Sequence, residues 1–125
     1  MRFSFFMVLL GITAAFSACT SDDKEQELRD QLAGRWEISQ AFRNERPTTS
    51  LENLYFDFYG TDSLRTNLNN GRAEAMPYEI KDQTITPVGS QLDAAYTIQE
   101  LSDTSLILIS TINRLPFRFL LRRAE

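Results

Sequence analysis

The sequence predicts an all-β domain: a small antiparallel up-and-down β-barrel of about eight strands, preceded by a short N-terminal helix. Three observations carry this reading. Past position 34 the apolar residues recur with period 2, turn-forming residues return about every eight to twelve positions, and no strand–helix–strand rhythm interrupts them. A meander of such strands has two exposed edges. Pairing the first strand with the last removes both, which is the physical reason to expect a closed barrel.

Residues 25–32 favour the helix, because Leu28 and Leu32 lie four apart with strong helix formers between them, and Ala33-Gly34 ends it. The first strand spans 34–43, with Trp36, Ile38 and Phe42 on one face and Arg35, Glu37, Ser39 and Arg43 on the other. A polar loop, 44–50, leads to a second strand at 53–59, where Leu54, Phe56 and Phe58 alternate with Tyr55, Asp57 and Tyr59. Gly60-Thr61-Asp62 is a turn, and the third strand, 63–69, sets Leu64, Thr66 and Leu68 on one side. Asn70-Gly71 is a strong hairpin signal, since both residues tolerate positive φ.

The fourth strand spans 74–81. Pro77 within it lacks a ladder donor, so it is expected at an edge, a bulge or the start of pairing. Asp82-Gln83 turns into a short strand at 84–88, and a Gly/Ser-containing loop follows to residue 93. Strands at 96–101 and 105–112 are joined by Ser102-Asp103-Thr104, and the run Leu106-Ile107-Leu108-Ile109 predicts a strand covered on both faces. The last strand, 115–123, alternates Phe117, Phe119 and Leu121 with Arg118, Leu120 and Arg122.

Composition narrows the chemistry. The 125 residues hold one cysteine and no histidine, so no intramolecular disulfide, Ser-His-Asp or Cys-His arrangement can form, and only carboxylates are left as metal ligands. No cofactor and no metal are expected. With 13 Lys+Arg against 17 Asp+Glu the chain is acidic, which argues against a nucleic-acid partner. Removing the first 18 residues leaves 107, enough for one domain with its own core.

The first 18 residues have a separate character. Arg2 and the amino terminus are positive, and residues 5–16 form an apolar run shorter than the roughly 20 residues a bilayer span needs. The run exits through Phe16-Ser17-Ala18-Cys19, which resembles the lipobox of bacterial lipoproteins, with small residues before a lipid-accepting cysteine. The resemblance implies a signal peptide over 1–18, lipidation of Cys19 as by palmitate, and attachment of the mature protein to the outer membrane through that lipid. Residues 19–31 then form the anchor, an acidic tether and the short helix, ahead of the barrel domain at 32–125. The tether, Thr20-Ser21-Asp22-Asp23-Lys24-Glu25, has two open readings: a solvated spacer, or a short acidic export signal that would place the domain on the cell surface.

Leu32-Ala33-Gly34-Arg35-Trp36 resembles the Gly-x-Trp opening of lipocalin-like domains, and the strand order of residues 32–123 is similar to the short lipocalin-like domains of bacterial lipoproteins. The resemblance implies that Trp36 plugs one end of the barrel and that an arginine of the last strand packs across its ring. Arg123 is the candidate, with Arg122 as fallback. It also implies that the barrel binds a small apolar or amphipathic ligand, for which Phe42, Phe56, Phe58, Tyr78, Tyr96, Phe117 and Phe119 are candidate lining residues. The competing reading of the same aromatics is a packed core. A second function class is an exterior face that binds an envelope protein or a glycan, built from Tyr55, Tyr59, Arg118 and Arg122 with Arg43 and Arg46. Catalysis is not expected: Asp57, Glu79 and Glu100 are the available carboxylates, and no spacing singles out a pair.

Overall fold

The structure is a computed structural model that describes residues 21–125; the expected signal peptide, residues 1–18, and Cys19 lie outside the described residues. A single helix, α1 (Ser21–Leu32), precedes nine strands: β1 (Gly34–Arg43), β2 (Arg46–Thr48), β3 (Tyr55–Tyr59), β4 (Ser63–Asn69), β5 (Arg72–Lys81), β6 (Thr84–Pro87), β7 (Tyr96–Leu101), β8 (Ser105–Ile112) and β9 (Leu115–Arg123). Strands β1 and β3–β9 form a closed antiparallel barrel of eight. Neighbours in sequence pair in order, and β9 returns to β1 in a register that runs from Trp36↔Arg123 to Arg43↔Phe117.

The helix begins at Ser21 rather than at residue 25, so it takes in most of the segment expected to be a tether. Charge placement accounts for this. Acids Asp23 and Glu25 sit near the positive N-terminal end of the helix dipole and Arg29 lies in the last turn, and each such placement is worth about 0.3–1 kcal/mol.

Strand β2 is a second difference, since it lies in the stretch expected to be a loop. It pairs with β1 alone, Ala41↔Thr48 to Arg43↔Arg46. Asn44 and Glu45 both have positive φ, 52° and 65°, the backbone of a two-residue hairpin turn, and Asp82-Gln83 and Asn113-Arg114 repeat that pattern. Asparagine or aspartate leads each turn, and none of the three contains the glycine that marks Asn70-Gly71.

A bulge between Ile38 and Gln40 corrects the face assigned to Phe42. One extra residue, Ser39, shifts the alternation by one, so Ala41 follows Trp36 and Ile38 inward while Phe42 pairs with Arg118 on the outer face. The run Leu106-Ile107-Leu108-Ile109 needs a similar correction. Leu106 and Leu108 are buried, but Ile107 is half-buried and Ile109 is 37% exposed, so only the inner face of β8 is covered.

Pro77 sits where pairing starts. Its carbonyl accepts from Val88 N–H at 2.8 Å just past the end of β6, so the donor it lacks falls beyond the ladder. The core of the barrel is built from Leu32, Trp36, Phe56, Phe58, Leu64, Tyr78, Ile80, Ile85, Tyr96, Ile98, Leu106, Leu108, Phe119 and Leu121, all buried.

Candidate functional site

The two ends of the barrel are built differently. At the end where β1 starts, α1 lies across the opening, and Leu32 and Trp36 are completely buried. Trp36 Nε1–H donates to Leu32 O at 2.9 Å. The Arg123 guanidinium stacks 4.2 Å from the Trp36 ring. Its nitrogens donate to three backbone carbonyls: Nε to Asp103 (2.8 Å), Nη1 to Ala33 (2.6 Å) and Nη2 to Gln31 (2.8 Å). Two of those carbonyls belong to the C-terminal end of α1, where helix carbonyls otherwise lack partners. Arg122 is exposed on the outer face. This end is sealed.

Above the seal, the candidate lining residues pack on one another. Phe56 meets Tyr96 edge-on at 5.2 Å between centroids and Phe119 at 6.0 Å; Phe58 meets Tyr78 edge-on at 5.5 Å. These edge-to-face contacts are favourable ring geometries. Burial pushes the Tyr96 phenol well above its ordinary pKa, and the nearby Glu74 carboxylate adds to the shift. Tyr78 is raised too, first by burial and then by Asp62 and Asp30, with Arg29 opposing. The five rings Phe56, Phe58, Tyr78, Tyr96 and Phe119 are therefore core, the competing reading of these residues, and both tyrosines stay neutral.

The opposite end is open along one side. Strand β7 leaves β8 beyond the pair Thr97↔Ile109, and from there the Ser110 hydroxyl ties the two by donating to Ala95 O at 2.6 Å. A groove of about 700 Å³ follows the gap over the rim, lined by Phe42, Ala95, Ile109, Pro116, Phe117 and Arg118, with Glu45, Thr97, Gln99, Ser110 and Thr111 completing it. Phe117 stacks on Phe119 at 5.8 Å and so joins the groove to the core. Arg118 lies 4.6 Å over the Phe42 ring. On the far side of the mouth, Glu74 accepts from Asn69 Nδ2 (2.5 Å), Ser90 Oγ (3.4 Å) and Gln91 N (3.5 Å), which holds the β6–β7 loop in place.

Of the seven candidate lining residues, Phe42 and Phe117 thus reach a groove, and Phe42 does so from the outside. Ile109, Pro116 and Glu45 were not among the candidates. The bulge that turns Phe42 outward left only a weak trace, the polar pair Ser39-Gln40 inside an otherwise alternating strand. On the rest of the exterior, Arg35 lies 4.1 Å over Tyr55 and Arg65 lies 5.1 Å over Tyr59, while Arg43 and Arg46 are exposed at the β1–β2 hairpin. Asp57, Glu79 and Glu100 lie on three different strands. Among the described residues no group of three or more carboxylate or cysteine side chains could hold a metal ion, and no helix is long and apolar enough to cross a membrane.

No protein-family model matches the chain, and no curated protein matches it. Solved structures do. A lipocalin-like protein from Bacteroides uniformis ATCC 8492 superposes with a TM-score of 0.52 at 15% identity, covering 75% of this chain and 99% of that one. An uncharacterized protein from Bacteroides eggerthii DSM 20697 gives 0.52 at 12%, covering 74% and 99%. At such identities the likeness bears on fold, and the fold it supports is a lipocalin-like barrel.

Proposed function

We propose that the protein is a membrane-anchored envelope lipoprotein, held through a lipid on Cys19, whose lipocalin-like barrel binds a small apolar or amphipathic ligand in the rim groove, without catalysis. One observation carries the ligand site: an open groove of about 700 Å³, floored by Phe42, Phe117, Ile109 and Pro116, at the unsealed end of the barrel. Small-molecule sites commonly occupy roughly 300–1,000 Å³, are mainly apolar with a few polar groups, and occur at the mouths of β-barrels. The packed rings of the interior direct the reading to the rim.

The test uses a neutral solvatochromic dye, Nile red. Its emission should rise on the wild-type barrel, and Phe42→Ser should weaken binding about tenfold, the equivalent of about 1.4 kcal/mol. Equal binding by wild type and Phe42→Ser would remove the groove as the site.

The anchor is supported by the apolar run, the small residues Ser17 and Ala18, and a single cysteine placed two residues before α1. A second acyl chain converts marginal membrane binding into lasting attachment, at about 0.8 kcal/mol per buried CH₂. Cys19→Ala should release the domain from the membrane fraction; retention of the variant after a carbonate wash would overturn the anchor. The surface orientation of the domain is a further part of this proposal, and proteinase treatment of intact cells tests it: full protection of the domain would refute exposure.

A further inference from the structure

We propose that the ligand of the rim groove is an anion: an amphiphile with a carboxylate- or phosphate-type head, received by the guanidinium of Arg118. The inference rests on the groove reading and adds the ligand's charge. Three observations of the groove carry it.

The first is the state of Arg118. Its guanidinium is fixed 4.6 Å over the Phe42 ring, so the side chain has given up part of its freedom before any ligand arrives. Arginine stacked on an aromatic face keeps its planar fork of N–H donors at the ring edge, where it can meet a carboxylate or phosphate in bidentate fashion.

The second is the absence of a counter-charge. Among the described residues the only ion pair within 4.0 Å is Arg35 with Glu37, at 3.2 Å, so Arg118 has no carboxylate partner. Glu45 also lines the groove, but it sits in the β1–β2 turn and forms no such pair.

The third is the local balance of charge. Two hairpin tips, residues 43–46 and 113–118, flank the groove, and Asn44 N–H donates to Pro116 O at 2.8 Å to tie them together. They carry four arginines, Arg43, Arg46, Arg114 and Arg118, against one carboxylate, Glu45, a net +3 on a chain whose formal charge is −4. A concentration of one sign beside a low-dielectric wall draws and holds the opposite charge. The apolar floor of Phe42, Ile109, Pro116 and Phe117 then takes the uncharged part of the molecule. Cationic ligands meet repulsion here, and a neutral chain leaves Arg118 unused.

The experiment compares three amphiphiles of equal chain length below their micelle concentrations: dodecanoate, dodecanol and dodecyltrimethylammonium. They are titrated calorimetrically into the chain from Ser21 onward, which contains every strand of the closed barrel. Dodecanoate should bind at least tenfold more tightly than dodecanol, dodecyltrimethylammonium should bind most weakly, and added salt should shrink the preference. Arg118→Gln should bring the dodecanoate-to-dodecanol ratio close to one, and Arg118→Lys should restore much of it. The Trp36 fluorescence unfolding midpoint checks that each variant is folded. Cosedimentation with phosphatidylglycerol vesicles, lost in Arg118→Gln, identifies a lipid headgroup as the anion; dodecanoate binding without cosedimentation identifies a free amphiphile. Equal affinity for dodecanoate and dodecanol, or a ratio that Arg118→Gln leaves unchanged, overturns this inference and leaves the groove standing. Binding of none of the three overturns both.

Discussion

Arg123→Ala tests the closed end most directly. The substitution removes a cation–π contact at 4.2 Å and three charge-assisted bonds to backbone carbonyls, two of them at the end of α1. Stacking is worth about 1 kcal/mol, within the usual 0.5–2. Each bond to a charged donor contributes about 1.5–3 kcal/mol when buried, which partial exposure here lowers to about 1. The total is about 4 kcal/mol, a large part of the roughly 5–15 kcal/mol that holds a domain of this size together. At several degrees per kcal/mol, the melting temperature should fall by about 15 °C or more. Trp36 is the single tryptophan and lies under the missing group, so urea titration followed by its emission reports on the right place. Arg123→Lys distinguishes charge from geometry. A lysine keeps the cation but cannot span three carbonyls, and it should recover no more than about half of the loss. A loss under 1 kcal/mol for Arg123→Ala, or full recovery with lysine, would refute the account of this end as a guanidinium clamp.

Gly34→Ala should destabilise through the same group. Gly34 has φ 118° and a Cβ there would come within 2.9 Å of Arg123 Nη1, so a cost of about 1–3 kcal/mol is expected in the same urea assay. Combined with Arg123→Ala the cost of Gly34→Ala should shrink, since the atom it strikes is gone; strict additivity would argue against the clash. Tyr96→Phe concerns alkaline stability. The folded-state pKa of Tyr96 is raised above the ordinary 10.0, so above that pH the unfolded chain releases a proton that the native state keeps. Stability then falls as pH rises, by about 1.4 kcal/mol per unit for this one group. Tyr96→Phe should flatten the decline above pH 10.0, and an unchanged slope would place the titration elsewhere.

Most of the barrel was legible because its signals are local. Strands β4, β7, β8 and β9 occupy the expected spans, since each is bounded by Asn, Asp, Ser or Gly turns and alternates without interruption along most of its length. The Gly34-x-Trp36 opening was informative for a reason the geometry now supplies. A Cβ at position 34 would occupy the space of the guanidinium that covers Trp36, so the glycine, the tryptophan and the arginine belong to one packing solution. Helix α1 was misjudged at its start because charge density was read as a sign of disorder, whereas acids in a first turn also complement the helix dipole.

The candidate site was less legible, and the reason is a single inserted residue. Inward and outward faces differ by one position in register, so Ser39 moves Phe42 from core to exterior without changing any residue type. A bulge needs no special residue when its strand is free to bend, and here the strand pairs with β9 from Trp36 to Arg43 but switches partners on its other edge, from β3 at Glu37 to β2 at Ala41. The bulge falls between those two partners, where the backbone has least to lose. Its consequence is specific: Phe42 comes to lie beneath Arg118, and two residues that strand parity placed on opposite faces become one stacked pair at the rim. Deleting Ser39 should therefore remove only the surplus residue, leaving Ile38 inward, Gln40 outward, Ala41 inward and Phe42 outward beneath Arg118. Dye binding at the groove should then persist wherever the Trp36 emission shows a folded barrel. Lost binding by such a folded deletion variant would mean that Ser39 shapes the site by something other than strand register.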